Sequence, residues 1–169
     1  MIRLSTSADL PALETIYPAA FPDEDLLPLV RELLAGDFGC LSLVAEEDGK
    51  VKGHALFTPC SIEGGHNAVA LLGPLAVAPP YQAKGLGSAL VKEGASDLTA
   101  KGFGAIFLLG DPNYYSRFGF VRAEGTTTPH PIPKEWFDAW QVLKLNDQTN
   151  FQGRFLVPDP WDVPAHLLP

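Results

Sequence analysis

The sequence predicts a mixed α/β fold, a central and mostly antiparallel sheet flanked by helices, in a single domain over residues 1–169. Three observations point to it. Two alternating apolar segments meet at Asp48-Gly49, a dipeptide suited to the left-handed backbone of a tight hairpin, and so pair antiparallel. A nearly continuous apolar stretch at 68–77 leads through a glycine-bearing turn into a helix and back into "AIFLLGD" at 105–111, and a strand, helix, strand order of this kind makes a right-handed crossover with parallel strands. The helix between them carries Leu86, Leu90, Gly94 and Leu98 at four-residue spacing, one face to lay on a sheet.

Each remaining element has its own local reason. A first strand at 2–5 alternates apolar and polar residues and runs into "TSAD", whose Thr and Asp are placed to cap a helix over 8–17. A second helix is expected at 25–35, where Leu26, Leu29, Val30, Leu33 and Leu34 form one stripe, Pro28 is tolerated in the first turn and Gly36 ends the run. Strands at 40–46 and 51–62 flank the hairpin turn, and "GGHN" turns the chain into the strand at 68–77, apolar throughout and therefore central. The following helix, 87–101, is closed off by Gly102 and Gly104. "PNYYSRFGFVRA" reads as a short helix and an outgoing strand. From Thr126 the composition shifts to the proline-rich "TTTPHPIPKEWF", with room for one helical turn, before alternation returns in "WQVLKLN" and "RFLV" as the last strands of the same sheet.

Size and composition bound the function. At 169 residues, 46% hydrophobic and 19% charged, the chain suits one domain with a sizeable core. Apolar runs such as "AVALLGPLAVA" fall short of the roughly 20 residues that span a bilayer. The N-terminus lacks the apolar core and cleavage site of a secretory signal, so a soluble, cytoplasmic protein is expected. Cys40 and Cys60 show no Cys-x-x-Cys spacing and fit thiols in a reducing compartment, and together with four His they offer no metal-ligand pattern. A formal charge of −8 argues against nucleic acid and favours cationic small molecules.

The turn "APPYQAKGLGSAL" carries the sharpest chemical signal. Gly85 and Gly87 open a helix directly after a strand, and a helix N-terminus presents free backbone N–H groups and a partial positive charge to an anion such as phosphate. A tight strand-to-helix turn with no ligand would also explain the two glycines. A dinucleotide fingerprint would need a third small residue where Leu90 stands, and a Walker loop would need Gly-Lys-Ser/Thr, which the chain lacks.

Gln82-Ala83-Lys84-Gly85-Leu86-Gly87, following a strand that ends "LAV", is similar to the Gln/Arg-x-x-Gly-x-Gly/Ala signature of the GNAT superfamily of acyl-CoA-dependent N-acyltransferases. Tyr115-Ser116-Arg117-Phe118-Gly119-Phe120 resembles that superfamily's Tyr-x-x-x-Gly-Phe element, and "LGPLAV" with "LGDPNYYSRFGF" is similar to its YhbS-like branch. The resemblance is strongest over residues 51–122. It implies acetyl-CoA as co-substrate, with backbone N–H groups of Gln82, Ala83, Lys84, Gly85, Leu86, Gly87 and Ser88 on the pyrophosphate and Leu75, Ala76 and Val77 pairing with the pantetheine arm. It further implies that the strands at 68–77 and 105–111 splay at their carboxyl ends and that Gly73-Pro74 marks a bulge. Side chains of Gln82 and Lys84 are candidates for phosphate contacts, with an ordinary solvated turn as the alternative.

Acetyl transfer needs a neutral amine, donors for the developing oxyanion and a proton for the departing thiolate. By the resemblance, Tyr115 is the acid and the backbone N–H of Val77 the oxyanion donor. A thiol's reference pKa of ~8.5 lies below tyrosine's ~10, so the phenol can share a proton as charge develops on sulfur while staying un-ionised at neutral pH. Tyr114 is the rival, although on a helix it points about 100° away. The base has no motif: Glu46, Glu63, His54 and His66 are candidates, each with a surface or core role as the alternative. Asp23, Glu24 and Asp25 would draw in an ammonium group or simply favour the start of the second helix. Trp136, Trp140 and Phe151 are core or acceptor-site wall. The acceptor is an unidentified small-molecule or peptide amine, a homodimer is possible, and no nucleic acid, membrane or metal is expected. Two alternatives stand beside it: a covalent route through Cys40 or Cys60, and a non-catalytic acetyl-CoA-binding sensor or partner-binding module.

Overall fold

In the computed structural model, which describes residues 1–147 and 151–167, strand β1 (Ile2–Leu4) pairs antiparallel with β2 (Leu41–Glu47), and β2 with β3 (Lys50–Ile62). Asp48 and Gly49 both take positive φ, 52° and 73°, the left-handed pair that a two-residue hairpin requires. At "TSAD" the backbone N–H of Thr6 donates to Asp9 Oδ2 at 2.7 Å, and a short 3-10 turn leads into α1 (Leu10–Ala20). The helix passes its expected end at residue 17 and carries Pro18 within it. A proline in the last turn gives up one hydrogen bond, while buried Leu13, Ile16 and Tyr17 keep the helix seated.

Helix α2 (Leu27–Ala35) begins later than its stripe suggests, with Pro28 in the first turn. Gly36 ends it in extended backbone, not in the left-handed cap that glycine usually provides; a Cβ there would lie 2.2 Å from the Phe38 ring, so the position is small because an aromatic ring crosses it. Helices α1 and α2 close one face over Leu13, Ile16, Tyr17, Val30, Val44 and Ala76.

The chain divides into two compact units, Met1–Thr58 with Leu72–Ser96, and Pro59–Leu71 with Asp97 onward. In the first the strand order is β1-β2-β3-β4, with β4 spanning Val69–Val77. Helix α3 (Leu86–Ala100) buries Leu86, Leu90 and Leu98, the expected face. Its fourth member, Gly94, is small for a reason the periodicity does not show: a Cβ there would sit 2.1 Å from Phe57 Cζ, and Phe57 is fully buried. Gly94→Ala should therefore lower stability by about 1–3 kcal/mol through overpacking, although Gly→Ala in a free helix gains roughly 1 kcal/mol. Chemical denaturation of the two proteins measures the sign directly.

In the second unit β5 (Ala105–Leu109) runs parallel to β4, in register from Val69↔Ala105 to Leu71↔Phe107, as the crossover requires. It ends two residues short of the expected 111 because Asp111 turns away to cap α4 (Pro112–Tyr115). Strand β6 (Val121–Arg122) pairs antiparallel with β8 (Trp140–Lys144), which also pairs antiparallel along all of β5, giving the order β4-β5-β8-β6. "RFLV" joins the same sheet, as expected, but not beside β8. As β9 (Gly153–Leu156) it leaves β8 and pairs with the end of β3, antiparallel, and with the short β7 (Thr126–Thr127), parallel. That placement puts Phe155 against Phe107 and Trp140, with ring centroids 4.9 and 5.2 Å away. Trp140 and Phe151 are core; Trp136 is half-buried in a 3-10 stretch, Lys134–Ala139. Among the described residues, no helix is long and apolar enough to cross a membrane.

Candidate functional site

The strand, turn and helix start at 75–88 form one continuous piece of the first unit. Leu75 and Val77 are half-buried on either side of buried Ala76, the alternation of a strand with one face in the core. After β4 the chain makes a 3-10 turn, Pro79–Tyr81, then passes through left-handed backbone at Ala83 (φ 59°) and Gly85 (φ 89°). Gly85 needs its φ and not its size, because a Cβ there would meet nothing within 4 Å. Ala83 holds the same conformation at a cost on the order of 1 kcal/mol. The N–H of Ala89 reaches Gly85 O at 3.0 Å, the first link of the helical ladder, so the N–H groups of Leu86, Gly87 and Ser88 precede that ladder at the positive end of a four-turn helix. Open space above Gly85 and donors at the helix start fit a pyrophosphate.

Two polar side chains of this turn have work of their own. Gln82 donates through Nε2 to Val77 O at 2.9 Å, tying the turn to the end of β4. Lys84 and Lys52 place their Nζ atoms 5.7 and 4.2 Å from the centre of the Tyr81 ring, within cation–π range. Gln82 is thus a brace for the turn and Lys84 a surface cation beside it; the backbone offers the donors.

Tyr115 lies in the second unit, at the end of α4. Asp111 starts that helix by accepting from the N–H of Asn113 at 2.9 Å, Pro112 fills the first position, and Gly119, left-handed at φ 95°, ends the short 3-10 turn that follows. The Tyr115 ring packs on Tyr114 and Phe120, centroids 4.8 and 5.9 Å away, and burial, then Tyr114 and Asp111, pushes its phenol above the ordinary value. Beneath it is Gly110, where a Cβ would come 2.7 Å from Tyr115 Cε2. Gly110 is held on both sides: its N–H donates to Ala139 O at 3.0 Å, and its carbonyl accepts from Gln141 Nε2 at 2.9 Å. The sequence pattern assigns neither Gly110 nor Gln141 a role of its own. The one available signal is an amide at position 141 among the apolar Trp140, Val142 and Leu143. Tyr114 is only half-buried, with the Arg117 guanidinium 4.6 Å from its ring centre.

The sequence pattern of the acetyltransferase (GNAT) family matches residues 10–120, well over half of the chain. The chain belongs to the GNAT acetyltransferase family. It is 34% identical over 171 residues to YjhQ of Escherichia coli K12, described as an uncharacterized N-acetyltransferase, covering 96% of this chain and 94% of that protein. A crystal structure of the Escherichia coli GNAT N-acetyltransferase YhbS in complex with CoA superposes with a TM-score of 0.88 at 30% identity, covering 96% of this chain and 92% of the other. A GNAT acetyltransferase from Brucella melitensis in complex with acetyl-CoA gives 0.78 at 32% identity, covering 96% and 97%.

In this GNAT chain the four base candidates fare differently. His54 is fully buried: Nδ1 lies 2.6 Å from the Tyr17 hydroxyl and Nε2 2.8 Å from Ser42 Oγ, which in turn accepts from Ser5 Oγ at 2.6 Å. Burial lowers its pKa to about 4, so the ring is neutral and structural. Glu46 pairs with Arg3 Nε at 2.5 Å, and Arg3 also holds Asp9, whose carboxyl it depresses to about 2. Glu63 faces Arg154 at 3.7 Å on the surface, and His66 is exposed. Asp23, Glu24 and Asp25 line a cavity of about 280 Å³ together with Tyr17, Phe21 and Leu26. Cys40 is half-buried, its Sγ 3.6 Å from Thr58 Oγ1, and burial raises its thiol pKa, the wrong direction for a nucleophile.

Buried His54 sets a pH dependence. Its folded pKa of about 4 lies below the ordinary 6.5, so the unfolded chain binds the extra proton between those values. Stability from this group is complete above pH 6.5 and falls as the pH drops toward 4, by roughly 3 kcal/mol over the window. Urea unfolding between pH 4 and 7.5 should show this slope in the wild type and a flatter one in His54→Asn; equal slopes would remove His54 as the cause.

Proposed function

We propose that this protein transfers the acetyl group of acetyl-CoA to a primary amine by direct attack in a ternary complex, with Tyr115 as the acid. The observation that supports the proposal is the geometry at the start of α3, with open space over Gly85 and the N–H groups of Leu86, Gly87 and Ser88 ahead of the helical ladder. The backbone of 82–88 would hold the pyrophosphate, and Leu75, Ala76 and Val77 would pair with the amide-bearing arm like an added strand. The neutral amine attacks the thioester carbonyl, Val77 N–H steadies the oxyanion, the carbon–sulfur bond breaks as the thiolate takes its proton from the Tyr115 hydroxyl, and the proton that the attacking nitrogen sheds passes through solvent to restore the Tyr115 phenol. The cavity beside Asp23, Glu24 and Asp25, in a chain of net charge −8, suits attraction of a cationic amine before it loses its proton. In this proposal residues 1–169 act as one cytoplasmic domain, on a small-molecule or peptide amine and without a metal.

A CoA-release assay over polyamines, amino acids, aminoglycosides and peptide N-termini tests it. Saturable release with at least one amine class is expected. Tight acetyl-CoA binding with no release from any class would replace the enzyme with a sensor of acetyl-CoA.

A further inference from the structure

A cavity of about 610 Å³ lies wholly within the second unit and plays no part in the proposed chemistry. Its floor is Trp140, buried and fixed by three interactions: Nε1 donates to Thr126 O at 2.9 Å, and the ring meets Phe107 and Phe155 at 5.3 and 5.2 Å. Thr126, also buried, donates through Oγ1 to Phe151 O, which locks β7 in place. Ile132 and the exposed Phe137 supply an apolar wall, and Arg122 and Arg154 stand at the rim.

The rim charges decide the ligand class. Arg122 meets Asp138 at 3.3 Å and Arg154 meets Glu63 at 3.7 Å, all four side chains being well exposed. Pairs of this kind are worth at most about 1 kcal/mol, so either guanidinium can turn to a new acceptor at small cost. Among the described lining residues are two guanidiniums and one carboxylate, Glu124, while Asp138 and Glu63, the carboxylates the guanidiniums face, are not part of the lining and would have to be exchanged for the ligand's. A rigid apolar cavity with a few convergent polar groups is the general form of a small-molecule site, and a guanidinium fork matches a carboxylate. We propose that this cavity binds an organic carboxylate with an aromatic or aliphatic body, its carboxylate between Arg122 and Arg154 and its body against Trp140, Ile132 and Phe137.

The test is a titration of the apo protein, followed by calorimetry and by the NMR signal of the Trp140 indole N–H, with 3-phenylpropionate, its neutral isostere 3-phenylpropanamide, and inorganic phosphate. The carboxylate should bind saturably, about tenfold or more tighter than the amide, as expected for a charge-assisted hydrogen bond, and should move the Trp140 signal. Arg122→Gln/Arg154→Gln should bring it down to the level of the amide while the amide and the melting temperature stay unchanged. Equal binding of acid and amide, binding of phosphate as tight as the carboxylate, or saturation without movement of Trp140 would each overturn the proposal. Acetyl-CoA is absent throughout, so the outcome does not depend on the acetyl-transfer proposal.

Discussion

Tyr115→Phe is expected to lower kcat of acetyl transfer about 100-fold and to leave the affinity for acetyl-CoA nearly unchanged, the signature of a proton donor used only as the carbon–sulfur bond breaks. Phenylalanine keeps the ring contacts to Tyr114 and Phe120 and removes only the hydroxyl, so the fold should be retained. Burial holds the phenol above its ordinary pKa, which keeps Tyr115 protonated across the neutral and mildly alkaline range. The ratio of wild-type to variant kcat should therefore stay level between about pH 6 and 9. Gly110→Ala gives a companion result, because a Cβ 2.7 Å from Tyr115 Cε2 displaces the ring without deleting the hydroxyl, and kcat should fall while KM for acetyl-CoA holds. A Tyr115→Phe enzyme with wild-type kcat would take Tyr115 out of the mechanism.

Ser88→Glu should weaken acetyl-CoA binding by about 100-fold or more while leaving the unliganded protein at least as stable. Ser88 is half-buried in the first turn of α3, where a carboxylate interacts favourably with the helix N-terminus by about 0.3–1 kcal/mol. The same charge sits in the proposed seat of the pyrophosphate and repels it; at an effective dielectric near 20, two charges about 4 Å apart cost roughly 4 kcal/mol. Thermal unfolding with and without acetyl-CoA separates the two effects, since ligand stabilisation follows RT ln(1 + [L]/Kd). Loss of the acetyl-CoA-dependent rise in Tm, with an equal or higher Tm in its absence and an unaffected Ser88→Ala control, is the expected result. Full ligand stabilisation in Ser88→Glu would place the pyrophosphate elsewhere.

The elements most legible in the sequence are those with a local cause. Asp48-Gly49 specified its hairpin because two consecutive left-handed residues are accessible to few dipeptides. Asp111 marks the limit of such reading: the run 105–111 reads as strand to its end, whereas Asp111 caps α4 and Gly119 stops the turn after it. Less legible was anything set by a distant neighbour. Gly36 and Gly94 look like a terminator and a gap in an apolar face, yet both are small because Phe38 and Phe57 lie across them. "RFLV" carried the right pattern for a strand, but its partner was decided by where Phe155 packs against Phe107 and Trp140.

The candidate site divides the same way. By itself, the sequence determined the family and the strand-turn-helix at 75–88, and it nominated Tyr115 for the role proposed above; glycines at fixed spacing next to a helix start are what a seat of backbone N–H groups would need. Tertiary structure alone decided what the side chains around those elements do. It turned Gln82 back onto Val77, laid Lys84 along Tyr81, set Gly110 under Tyr115 with Gln141 holding it, and enclosed His54 between Tyr17 and Ser42 as a neutral core group. Backbone geometry follows from a few residues adjacent in the chain and can be read from their order; the hydrogen-bond partners, burial and lowered pKa of His54 depend on Ser42 and Tyr17, 12 and 37 positions away, which only packing brings together.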